Sequence, residues 1–280
     1  MTRTVIALHL KLPYSRSQIM AALSLVASAN GLAPPAINTI ISDGWFWALS
    51  NTFGTSIIVW GAWIAACHLA LTSPKTGSIR YLDLGAIVAT AFLIAIPSPA
   101  FSWLALSFLS TYWLCTSEVR SLQRRSAAIF LAICVPMFWG PLLMRVAAHP
   151  VLDIDAFLVA KFIGAKQIGN IVTFSGGKSG VQIWPGCSSF HNISQAGLAW
   201  IALSQSLGRE LGVRDLLWTG LAVGSAALVN LVRISLMVLY PAHFETLHGP
   251  IGEQIAGLTT LLLIVVICMS GQRRDLFATA

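Results

Sequence analysis

Three groups of residues carry the reactive side chains of this chain, and they recur late in it. Cys187 and His191 lie four residues apart in WPGCSSFHNI, Arg233 stands in the apolar run LVNLVRISLMV, and His248 stands in ETLHGPIGEQ. A thiolate attacks carbonyl carbon readily, and a nearby imidazole can hold and return the proton. A guanidinium in apolar surroundings can stabilise an oxyanion or anchor a carboxylate. Cys, His and Arg together therefore point to acyl transfer. Pro185 fits the first turn of a helix. The reading then puts Cys187 in that first turn, where free N–H groups favour an anion. Cys187, His191 and Ser194 or Gln195 would share one face. Asn230 lies three residues before Arg233, on the same face. The competing readings are bland: a passive Cys on a packing stripe, an Arg233 that snorkels or pairs with Glu245, and a solvated loop histidine at 248.

The elements that must hold these groups are membrane helices. The 280 residues are 56% hydrophobic and only 10% charged, against about 25% charged in soluble domains. Apolar runs long enough to cross a bilayer recur at about 17–39, 52–71, 81–97, 99–116, 126–148, 187–206, 216–240 and 251–270. Gly31, Pro34 and Pro35 interrupt the first, and Pro97-Ser98-Pro99 marks a tight turn between the third and fourth. The expected fold is an all-α polytopic bundle of about eight spans, in a single domain over 1–280. No cleavable signal peptide is evident: Arg3, Lys11 and Arg16 punctuate the start, and no small-residue cleavage site follows.

Charge then orients the bundle. With a cytoplasmic N-terminus, the inner segments hold 12 of the 17 basic residues: Arg3, Lys11, Arg16, Lys75, Arg80, Arg120, Arg124, Arg125, Arg209, Arg214, Arg273 and Arg274. The outer ones hold 3, namely Lys161, Lys166 and Lys178, while Arg145 and Arg233 fall within spans. That asymmetry predicts cytoplasmic N- and C-termini. It also explains the net charge of +7 without a nucleic-acid partner. The longest extramembrane piece, about 149–186, is then external, and Cys187 opens the sixth span at the outer face. Arg233, seven residues before Pro241, lies roughly 10 Å below that face. His248 lies in the outer loop that follows.

Other motifs carry less. Five cysteines make no disulfide framework, and Cys67, Cys115, Cys134 and Cys268 read as small buried hydrophobes. FSGGKSG lacks the first glycine of a phosphate loop, because Val172 stands there. Asn192-Ile193-Ser194 is a glycosylation triplet inside an expected span. Gly220 and Gly224 favour close helix packing. There is no HExxH or CxxC, and the six histidines are scattered.

GCSS at 186–189, NLVRI at 230–234 and HGPIG at 248–252, each at the outer end of a late span, resemble the exosortase/archaeosortase family. The resemblance covers roughly residues 165–270. It implies a membrane cysteine transpeptidase or protease that processes C-terminal sorting signals, of the PEP-CTERM type in bacteria, on exported proteins. It implies Cys187 as nucleophile, Arg233 as the buried arginine and His248 as third member; on spacing alone, His191 is a rival for the base and, with Asn230, a candidate accessory residue. The family commonly has Cys-Ser-Gly where this chain has Cys187-Ser188-Ser189, and some relatives carry Arg as third member. The implied partners are the bilayer of the cell inner membrane and the substrate's C-terminal transmembrane tail. The chemistry asks for no cofactor and no metal. The alternative from another class is a non-catalytic transporter, or a scaffold for envelope or exopolysaccharide assembly.

Overall fold

The computed structural model describes residues 14–75, 77–173, 180–209 and 212–276. Arg3, Lys11 and Lys178 lie outside them, as does most of FSGGKSG. The described chain is almost wholly helical: α1 Arg16–Ser50, α2 Ile57–Thr72, α3 Tyr81–Ala95, α4 Pro99–Thr116, α5 Leu122–Cys134, α6 Gly140–Val146, α7 Ala148–Ile163, α8 Ser189–Ser206, α9 Val213–Leu239, α10 Phe244–His248 and α11 Pro250–Leu276. Each of the eight expected apolar segments contains helix. Among the described residues, four stretches are long and apolar enough to cross a membrane: Arg16–Ser50, Leu122–Val146, Val213–Leu239 and Ile251–Gly271.

By internal contacts the chain forms two compact units, Met1–Phe138 with Ile201–Glu210, and Trp139–Trp200 with Leu211–Ala280. In the first, α5 packs on α2 and α4, and α1 packs on α3 and α4. Gly31 and the prolines do not end α1. At Gly31 a Cβ would meet the Trp103 ring at 2.5 Å, so glycine lets α4 approach. The helix breaks instead at Gly44, where φ is +79°. Asp83, fully buried, ties three helices together: Arg16 Nε and Tyr112 Oη donate to its Oδ1 at 2.7 Å each, and Arg80 N to Oδ2 at 2.8 Å. Those bonds offset the cost of burying a carboxylate. A π-helical segment, Val135–Trp139, links α5 to α6. Pro136 within it cannot donate to the ordinary helical ladder. Cys134 and Cys268 are buried as expected, whereas Cys115 is exposed.

The second unit departs from an all-α bundle. Residues 149–186, expected as one external segment, hold α7 and a three-stranded antiparallel sheet: β1 Lys166–Ile168, β2 Ile171–Thr173 and β3 Gly180–Gln182, in that order. The Gly169–Asn170 turn joins β1 to β2, with Gly169 at φ +58°. A local core binds these parts. Leu152, Ala156, Val159 and Ala160 of α7 pack with Val172, Ile183, and Ile234 and Val238 of α9, and Cys187 packs against the cluster half-buried. Fully burying a side chain such as Val or Ile is worth about 1.5–3 kcal/mol against water, which is why strands of three residues hold.

Candidate functional site

The nucleophile candidate sits in a tight turn rather than in a helix. Pro185–Cys187 form a single 3-10 turn, with Cys187 N donating to Trp184 O at 2.8 Å. Ser188 is extended (ψ 142°), and α8 starts at Ser189. This corrects the expectation that Cys187 occupies the first turn of the helix and shares a face with His191. The reason lies in capping. Ser is a far better N-cap than Cys, and the Ser188 hydroxyl accepts from Phe190 N at 3.2 Å. The helix begins one residue beyond that cap, leaving the thiol on the preceding turn.

Two buried side chains hold this turn. Asp155 of α7, 6% exposed, accepts from Ser188 Oγ at 2.8 Å and from Ser189 N at 3.0 Å, both at Oδ2. Thus a carboxylate from another helix, and not the thiol, meets the N-terminus of α8. Asn230 of α9, 3% exposed, donates through Nδ2 to Cys187 O at 2.7 Å and to Ser189 Oγ at 3.1 Å. The hydroxyl of Ser189 is therefore in use as an acceptor. Asn230 was legible as a companion of Arg233. Asp155 was not, because nothing in its spacing links it to Ser188, 33 residues later.

One helical turn beyond Asn230, Arg233 reaches the other half of the site. Its Nε donates to Leu247 O and its Nη2 to His248 O, each at 3.2 Å. These are last-turn carbonyls of α10, which a helix end otherwise leaves without partners. Among the described residues no carboxylate lies within salt-bridge distance of Arg233, so the pairing with Glu245 is not made. The His248 ring stacks on Phe244, with centroids 5.2 Å apart and planes at 13°. The glycines of HGPIG are required by close packing: a Cβ on Gly249 would meet Glu245 O at 2.5 Å, and one on Gly252 would collide with the Leu247 carbonyl.

The result is a facing pair. Cys187 Sγ and His248 Nε2 are 3.8 Å apart, a loose thiol–imidazole contact. His191 turns elsewhere, its Nε2 accepting from the Gln195 amide at 2.6 Å. Asn230 holds the thiol turn and Arg233 holds the histidine segment, so one face of α9 sets the gap between them. Cys187, Arg233 and His248 line a single cavity of about 780 Å³, with β3, Trp184, Met237 and Glu253 also on its wall. Among the described residues no three His, Cys, Asp or Glu side chains gather as a metal ion would need.

The chain matches no family model, no curated protein and no solved structure.

Proposed function

We propose that the protein is a membrane-embedded thiol peptidase or transpeptidase of the exosortase kind, acting on C-terminal sorting tails at the outer face of the inner membrane. The single observation that carries this reading is the 3.8 Å approach of Cys187 Sγ to His248 Nε2 in a cavity that Arg233 also lines. A transporter or scaffold has no need of a thiol and an imidazole held to face each other by two further side chains.

The chemistry proceeds in two halves. The Cys187 thiolate attacks the scissile carbonyl carbon, and a C–S bond forms as the carbonyl oxygen becomes an oxyanion. Arg233 has N–H groups beyond the two spent on α10, and these stabilise that charge or hold the peptide. The C–N bond then breaks, and His248 gives its proton to the departing amine. This leaves a thioester on Cys187. An acceptor amine, or water, gives a proton to His248 and attacks the thioester. The C–S bond breaks and the thiolate returns.

The membrane setting follows the same reading: eight spans, both termini cytoplasmic, and the cavity opening to the outer side. The lateral surface supports it. Leu216, Leu217, Leu221 and Leu228 on α9 are 53–71% exposed, as lipid-facing side chains would be. The substrate's own transmembrane tail would enter from that side.

The test is the size of a tail-bearing protein in cells expressing matched amounts of each variant. Cys187→Ser conserves volume but replaces a thiolate by an unactivated hydroxyl, so the tail stays uncleaved while the variant accumulates normally. Cys134→Ser, fully buried in α5, leaves cleavage intact. Cleavage by Cys187→Ser at the parental rate would overturn the reading in favour of a transporter or scaffold.

A further inference from the structure

Among the described residues, the sheet beside the thiol has one edge with nothing on it. Strand β3 pairs there with β2 alone, in the register Ile171 to Gln182, Val172 to Val181 and Thr173 to Gly180. Ile183 N donates to Asn170 O at 2.9 Å, so that pair is a hydrogen-bonded one. In an antiparallel ladder such pairs alternate. Val181 therefore turns its N–H and C=O toward β2, while Gly180 and Gln182 turn theirs to the open side. Both are exposed, and among the described residues no hydrogen bond engages their backbone groups. Gly180, Val181 and Gln182 line the same cavity as Cys187 and His248, and the strand runs directly through Ile183 and Trp184 into the Cys187 turn.

Resting on the acyl-transfer reading, we infer that β3 is the peptide-docking strand: an extended segment of the substrate adds to its free edge, pairing with the backbone of Gly180 and Gln182, and is thereby delivered to Cys187. An unpaired strand edge is ordinarily a hazard that proteins cover or blunt. An edge kept open along a reactive cavity serves as a template, and strand addition gives affinity through main-chain bonds that any sequence can make. The scissile bond then enters in extended form. Alternate side chains of the peptide turn toward the apolar wall of Met237 and Val238. The site would accordingly read the substrate's conformation more than its side chains.

The probe is an acetylated five-residue peptide of alternating valine and threonine ending in a vinyl sulfone. It is applied to the full-length protein in detergent, with the rate of adduct formation on Cys187 read by mass spectrometry. Ethyl vinyl sulfone serves as the non-peptide reference. Each peptide amide is N-methylated in turn. Strand addition predicts a two-residue period: methylation at alternate positions slows labelling by roughly tenfold or more, as a lost backbone hydrogen bond and a methyl clash would, and the positions between are tolerated. Gln182→Pro removes an edge N–H without touching the β2 ladder and should lower the peptide's labelling rate relative to that of ethyl vinyl sulfone. The methylation series uses the unaltered chain, so it stands even if the proline variant fails to fold. A flat series, with the peptide still faster than ethyl vinyl sulfone, overturns edge docking and leaves the acyl-transfer reading intact. A peptide no faster than ethyl vinyl sulfone overturns edge docking and removes the support of peptide binding from the acyl-transfer reading as well.

Discussion

His248 and His191 were rivals for the proton on sequence grounds alone. His191 lies one helical turn from Cys187 in number, while His248 lies 61 residues away. The fold reverses that order, because Ser188 ends the thiol turn before α8 begins and Gln195 engages His191. The choice has a kinetic consequence. His248→Gln keeps a polar planar group beside Phe244 but cannot carry a proton, and should lower single-turnover cleavage by about 10²–10⁴-fold. His191→Gln should leave the rate essentially unchanged. Equal losses in the two variants would return the base assignment to His191. Arg233 was legible because a charge is out of place in an apolar run, and Cys187 and His248 because both flank late apolar runs at the same expected depth. Asp155 was not, since a carboxylate in the mixed segment AHPVLDIDAF looks like ordinary loop polarity.

Elements show the same division. The helices α1 to α5, α8, α9 and α11 were readable because each falls in a long, mostly uncharged apolar run. Helix α7 was not, because Pro150 and two aspartates gave it the look of a connecting segment. Pro150 in fact falls in its first turn, where proline is tolerated. Three-residue strands leave almost no periodic signal, so the sheet was invisible too. Yet α7 contributes the carboxylate that fixes the thiol turn. Asp155→Ala strands Ser188 Oγ and Ser189 N, and should cost about 1–3 kcal/mol, read as a lowered Tm in detergent, together with slower cleavage. Asp155→Asn keeps an acceptor oxygen where Oδ2 serves both donors, and should retain most of both properties. If Asn behaves like Ala, the negative charge, and not the hydrogen-bond geometry, is what the turn needs.

At the scale of the molecule, the proposal depends on which side of the membrane the cavity opens. The 12-to-3 asymmetry of basic residues is the argument for the outer side. Reporter fusions ending at Arg125 should read cytoplasmic, and fusions ending at the Gly169–Asn170 turn should read external. The opposite pattern would place the thiol in the cytoplasm, away from exported substrates. Helix count alone could not supply this, since among the described residues four stretches meet the length and hydropathy of a span while shorter apolar helices accompany them.

The central claim is that Cys187 becomes acylated. Its most direct measurement is the mass of the Cys187 peptide from cells co-expressing a tail-bearing protein, quenched in acid before digestion. The account predicts a fraction of Cys187 carrying the acyl portion of the substrate, cut at the sorting tail and released by hydroxylamine as a thioester is. Cys134 peptides from the same cells should be unmodified. Cells that process the tail at full rate while every Cys187 remains a free thiol would contradict it.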